Sequence, residues 1–300
     1  MKVIKTEVSM MEQALITLTS SEAKRLVGKG IAALSEVQAA FKKGIIFVAT
    51  STSTGYVAEE LLNKPIEKGF FTSGVVVSRG ICTTFYKKRL RYIGIRQGVA
   101  TDVTMPEMIE KWLPEMRSTD VFIKGANAID ATGSAAIFLG NDRGKGTGGT
   151  IGAAIGCLSA RGSHLIIAAG LEKLVPGPLT ETVPHVGRPL RYAAGFPSGM
   201  MLVKGKLVSE AEAFKTLSGV NTIPVAGGGI NGAEGCHTFI LEGTADEIDE
   251  AWKIYKGIKG EPPLTTTTAN CDECERNCQF NIDPDLKALR KNRPQLGGYL

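Results

Sequence analysis

A chain of 300 residues with 43% hydrophobic and 22% charged side chains can bury a sizeable core, and its length calls for one large domain with a smaller appendage. The formal charge of +5 is spread along the chain except at Lys87, Lys88, Arg89 and Arg91, which read as a solvated turn, so no basic stripe points to nucleic acid. No apolar run is long enough to cross a bilayer and the N-terminus lacks a signal-peptide core, so a cytoplasmic protein without a membrane partner is expected.

Residues 20–43 read as one or two helices, with Ser20 and Ser21 available as caps and Gly44 as a stop. Ile45–Ala49 is a short continuous apolar run, the pattern of a strand buried on both faces. It leads into Thr50, Ser51, Thr52, Ser53, Thr54 and Gly55, after which helical spacing resumes. Hydroxyls at a helix N-terminus, beside unpaired N–H groups and the positive end of the dipole, suit an anion. The alternative is a helix start with more caps than it needs.

Val75–Val77 and Tyr92–Ile95 read as strands, and Met108–Met116 as a helix interrupted near Pro114. Val121–Lys124 is another buried strand. At its end Lys124, Asn127 and Asp130 offer a cation, an amide and a carboxylate, where open α/β sheets bind ligands. The alternative there is a solvated Asn/Asp turn. After the strand Ala135–Leu139 comes a glycine loop, Gly140–Thr150, carrying Arg143 and Lys145 among glycines that include Gly148 and Gly149. Successive N–H groups in such a loop can form an anion nest. It matches no nucleotide-cofactor motif. A small-residue helix (Ile151–Ala160) and a buried strand (His164–Ala169) follow, then a connection rich in Pro, Gly and Arg to Ser198. His164 reads as structural, and His185 lies on that connection.

Residues 200–268 run strand, helix, strand, strand, helix and extended piece, the order of a split βαβ unit. Thr244 with Glu247 three residues on forms a capping box for the second helix. The expected fold is therefore α/β: a mostly parallel Rossmann-like sheet with helices on both faces over 1–198, plus a smaller ferredoxin-like α+β subdomain over 199–268. A cysteine-containing tail occupies 269–300. In that tail Cys271, Cys274 and Cys278 are spaced so that three thiols can face one metal, an iron–sulfur cluster or zinc. The fourth ligand would come from Cys236, His237, an aspartate or another subunit. Cys82, Cys157 and Cys236 read as isolated.

These motifs resemble those of the superfamily that contains ribose-5-phosphate isomerase, glucosamine-6-phosphate deaminase, CoA transferases and initiation-factor-2B-like proteins. Residues 19–34 and 45–61 are similar to the helix, strand and phosphate loop of ribose-phosphate isomerases, and 122–130 to their Gly-Ala-Asp-containing motif. Thr50 and Thr52 stand where that loop has glycines, and Asn127 where the motif has its first Asp. The resemblance implies an enzyme acting on a phosphorylated or carboxylated metabolite, with isomerase-like or transferase-like chemistry. Thr50–Gly55, Asn127, Arg143, Lys145, Gly148 and Gly149 would hold the anion, Lys124 would polarise it, and Asp130 would move a proton. A non-catalytic metabolite-binding or regulatory protein of the same fold is the alternative. The expected partners are a small anionic metabolite and, in a homo-oligomer, further copies of the chain.

Overall fold

The computed structural model describes residues 11–140, 147–274 and 278–293. Its strands are β1 (Glu12–Leu18), β2 (Ile45–Val48), β3 (Gly74–Val77), β4 (Gly80–Thr83), β5 (Tyr92–Arg96), β6 (Val99–Val103), β7 (Val121–Gly125), β8 (Ala128–Ile129), β9 (Ala135–Phe138), β10 (His164–Ala168), β11 (Met200–Val203), β12 (Lys206–Val208), β13 (Asn221–Gly227) and β14 (His237–Gly243). The helices are α1 (Ser20–Ala33), α2 (Ser35–Lys43), α3 (Thr54–Leu62), α4 (Met105–Glu107), α5 (Leu113–Glu115), α6 (Gly149–Arg161), α7 (Leu179–Thr182), α8 (Glu210–Ser218), α9 (Ala245–Ile258), α10 (Gln279–Ile282) and α11 (Pro284–Asn292). A π-helical stretch, Met108–Trp112, joins α4 to α5, so helix runs past Pro114.

The fold is mixed α/β. Six strands form one sheet in the order β12-β10-β7-β2-β5-β6. The first four are mutually parallel, and β5 and β6 are antiparallel at one edge. The three apolar runs expected as buried strands are thus neighbours in this sheet, and Ile46, Phe47 and Val48 are wholly buried because both faces are covered. One face packs on α1, α2, α3 and α8 through Ile46, Val48, Ile123, Leu26, Val57 and Phe214. The other packs on α6 and the segment containing Trp112 through Phe47, Phe122, Ile167, Ile151 and Leu158. Among the described residues no helix is long and apolar enough to cross a membrane.

The expected βαββαβ unit over 199–268 is corrected. Its strands pair in three different sheets: β11 with β9, β12 parallel to β10 in the main sheet, and β13 with β14. The partner that completes the small sheet is β1, antiparallel to β14 in the order β1-β14-β13. Element order alone does not specify hydrogen-bond partners, and β1 lies more than 200 residues from β14 along the chain. Its period-two pattern is nonetheless clear, since Ile16 and Leu18 are buried while Leu15 is exposed.

Two helix starts show how locally the chain is punctuated. Thr19, one residue before the expected caps, begins α1: its hydroxyl accepts from the Glu22 N–H while Glu22 accepts from the Thr19 N–H. Thr19 has a glutamate three residues on, as the reciprocal pair requires, whereas the corresponding residues after Ser20 and Ser21 are Ala23 and Lys24. Thr244 and Glu247 pair in the same way at α9.

Candidate functional site

The main sheet reverses direction of growth at β2. The chain adds β5 and β6 on one side of it and later β7, β10 and β12 on the other. Helix α3, which follows β2, lies on one face, and α6, which the chain reaches from β7 by way of β8 and β9, lies on the other. Between the carboxyl ends of β2 and β7 the two connections part, which is where open α/β sheets form a ligand crevice.

The β2–α3 turn stands at this point. Ser51 Oγ accepts from the N–H groups of Ser53 and Thr54 at 3.3 and 3.0 Å, and Thr54 Oγ1 donates to the Ala49 carbonyl at 2.6 Å. Thr50 Oγ1 meets Ser73 Oγ at 3.2 Å. Thr50, Ser53, Thr54 and Gly55 are buried, leaving Ser51 and Thr52 partly exposed. Most of the hydroxyls thus satisfy the chain's own groups. Gly55 leaves room for the Lys68 side chain, because a Cβ there would meet Lys68 Cγ at 3.1 Å. Gly125 does a related job: a Cβ on it would strike Ser51 Oγ at 2.4 Å, so glycine lets β7 approach the turn.

Lys124 projects from β7 at this point. Its Nζ donates to the Thr50 carbonyl at 3.0 Å. Among the described residues no carboxylate pairs with it. Burial without a counter-ion pushes its pKa down to about 8.

Asn127 and Asp130 are committed to the bend that follows. Asn127 Oδ1 accepts from the Phe138 N–H at 2.9 Å, tying the end of β7 to β9. Asp130 Oδ1 accepts from Thr132 N, Thr132 Oγ1 and Ser134 N, and its Oδ2 accepts from Leu179 N at the start of α7. Burial alone would raise this carboxyl, but the four donors outweigh it and hold the pKa at about 2. A carboxylate so weakly basic and so fully bonded organises a turn, so the proton-moving role expected of Asp130 does not fit its surroundings. Gly148 and Gly149 stand at the start of α6 in left-handed conformations, at φ +65° and +68°, with no side-chain cap. Arg143 and Lys145 lie outside the described residues.

Two further clusters come together. At the carboxyl ends of β10 and β12, Glu210 is 1% exposed and accepts twice from the Leu171 N–H, while Lys24 Nζ lies 2.7 Å from Glu172 Oε1. Burial, aided by the nearby Glu172 charge, pushes Glu210 up to about 8. These residues come from α1, the turn after β10 and the start of α8, and the sequence signal that marks them is only a polar residue next to an apolar run.

The second cluster contains the tail cysteines. Cys271, Cys274 and Cys278 line one cavity together with Cys82 of β4, a residue that reads as isolated in the sequence. Cys236 and His237, considered above as the fourth ligand, sit at the start of β14, where Cys236 is near Glu22 and Lys259. All four cavity cysteines are free thiols. Among the described residues no three His, Cys, Asp or Glu side chains are arranged to hold a metal ion.

The chain matches no protein-family model, no curated protein and no solved structure with which it was compared.

Proposed function

We propose that this protein binds a small phosphorylated or carboxylated metabolite in the crevice between β2 and β7 and acts on it through Lys124. The observation that carries the reading is the lysine itself: a half-buried amine, bonded among the described residues only to a backbone carbonyl, where two parallel strands end and their helices part. Its protonated form attracts an anion. With a pKa near 8, a useful fraction is neutral at mild alkaline pH and can take a proton or attack a carbonyl. The four parallel strands support a Rossmann-like reading of the core, and the motif resemblance to sugar-phosphate isomerases and CoA transferases supports the ligand class. Ser51, Thr52 and the uncapped start of α6 would add donors. A cytoplasmic setting suits such a metabolite.

The saturated state of Asp130 favours a second reading, a metabolite sensor of the same fold without turnover. Among the described residues of the crevice Lys124 is then the main recognition group, and no carboxylate base is needed.

The test is thermal shift of the full chain with sugar phosphates, CoA esters and inorganic phosphate, followed by turnover assays on any ligand found. Wild type should gain a ligand-dependent shift that weakens as pH rises through about 8, and Lys124→Met should lose at least about tenfold in affinity. Turnover selects the enzyme and binding without turnover selects the sensor. A hit bound equally well by Lys124→Met would place the site elsewhere.

A further inference from the structure

The cavity lined by Cys82, Cys271, Cys274 and Cys278 is built from three separate pieces of chain. Cys82 stands on the β3–β4 hairpin. Residues 193–196 run beside it, and the tail closes over both. Backbone bonds stitch the pieces together: Phe196 N to Ile81 O at 3.0 Å, Ala269 N to Thr83 O at 3.0 Å, and Gln279 N to Ala193 O at 2.8 Å. Two glycines allow the approach. A Cβ on Gly80 would lie 2.3 Å from the Ala194 carbonyl, and one on Gly195 would lie 2.4 Å from the Ile81 backbone, and both glycines have positive φ. The contact carries the Gly195 N–H to within 3.1 Å of Cys278 Sγ.

Two guanidinium groups also face the sulfurs. Arg79 is 4% exposed, and its Nε donates to Cys82 Sγ at 3.3 Å. Arg290 is 8% exposed and bonds to both Asp272 and Cys271. A backbone N–H and two buried cations directed at sulfur are an arrangement for thiolates, not for thiols packed as small apolar groups.

We propose that Cys82 is the fourth ligand of a thiolate-bound iron–sulfur cluster whose other ligands are Cys271, Cys274 and Cys278. The four sulfurs stand around a cavity instead of meeting at a point. Zinc needs each sulfur at about 2.3 Å from one ion. A multi-iron cluster spreads its ligands over several irons and so takes thiolates that are set apart from one another. Four thiolates around such a core leave about two negative charges, and Arg79 and Arg290, the latter also paired with Asp272, lie beside them. Ile81 and Phe196 wall the cavity and limit water. The site is separate from the Lys124 crevice and does not depend on it.

The experiment is anaerobic purification of the full chain, reconstitution with ferrous iron and sulfide, and measurement of iron, sulfide, zinc and the visible spectrum. The expected result is about four iron and four sulfide per chain with a broad charge-transfer band. Cys82→Ser and Cys274→Ser should each lose about fivefold or more of the iron, while Cys157→Ser and Cys236→Ser keep it, with far-UV circular dichroism checking the fold. If Cys82→Ser does not fold, alkylation of the wild type answers the same question. Cys82 should be protected together with the three tail cysteines when the cluster is bound, and should react once iron is chelated. Colourless protein with one zinc, protection of the tail cysteines alone, or full iron loading in Cys82→Ser overturns the proposal.

Discussion

At the scale of single residues, three ionisable groups end in different electrostatic states. Asp130 meets four donors and is held as a carboxylate, Lys124 meets one carbonyl and is pushed towards the amine, and Glu210 is pushed towards the neutral acid. The shift at Glu210 has a defined consequence for stability. Its folded pKa of about 8 lies above its ordinary value of 4.5, so the native state holds a proton that the unfolded chain releases. That contribution is fully present below about 4.5 and is lost as pH rises through about 8. Glu210→Gln, which keeps the shape and removes the titration, should flatten the fall in unfolding free energy over this window. It should also exceed wild type at the alkaline end by on the order of 2 kcal/mol. Urea unfolding of both proteins at several pH values is the measurement; parallel curves would mean that the carboxyl ionises freely.

At the scale of elements, most of what the sequence announced was periodic. The buried strands, the hydroxyl-rich turn, α6 and α9 follow from apolar runs, glycine stops and a capping box, all read over a few neighbouring residues. What it did not announce is how closely elements pack. Gly30 in α1 faces Ala213 in α8, and a Cβ on Gly30 would lie 2.6 Å from the Ala213 Cβ and 2.7 Å from its Cα. The obstruction is backbone as well as side chain, so it cannot swing away. Gly30→Ala improves helix propensity yet should destabilise the protein by about 1–3 kcal/mol, because overpacking outweighs the gain. Thermal denaturation would expose the error if the variant melted at or above the wild-type temperature. Gly156, on α6, has open space where its Cβ would be, so Gly156→Ala is the matched control and should be neutral or mildly stabilising.

At the scale of the whole molecule, distant segments are locked together by charges that no local pattern reveals. Arg25 of α1 pairs with Glu59 and Glu60 of α3 and with Glu261 beyond α9, and its guanidinium lies 4.7 Å above the Tyr56 ring. Lys68 shares Glu59 and lies 4.9 Å from the same ring. Three carboxylates converge on one largely buried cation, so Arg25→Met should cost about 2–4 kcal/mol by leaving them mutually repelling. Adding Glu261→Gln should restore part of the loss, since it removes one of the stranded charges. Chemical denaturation of the two single variants and the double variant measures this coupling, and simple additivity would show that Glu261 acts independently.

The sequence by itself determined the α/β class, the three buried strands, the positions of Lys124 and the hydroxyl turn at strand ends, and the spacing of Cys271, Cys274 and Cys278. These depend on local periodicity and on backbone groups that must be satisfied within a few residues. Only the tertiary structure decided that β1 completes the small sheet, that β12 joins the main one, that Asp130 is consumed by its own turn, and that Cys82 meets the tail cysteines, remote from it along the chain. Strand partners and cavity linings are chosen by which surfaces exclude water together, and that is a property of the packed chain: residues remote in sequence have no shared period or cap through which it could be read.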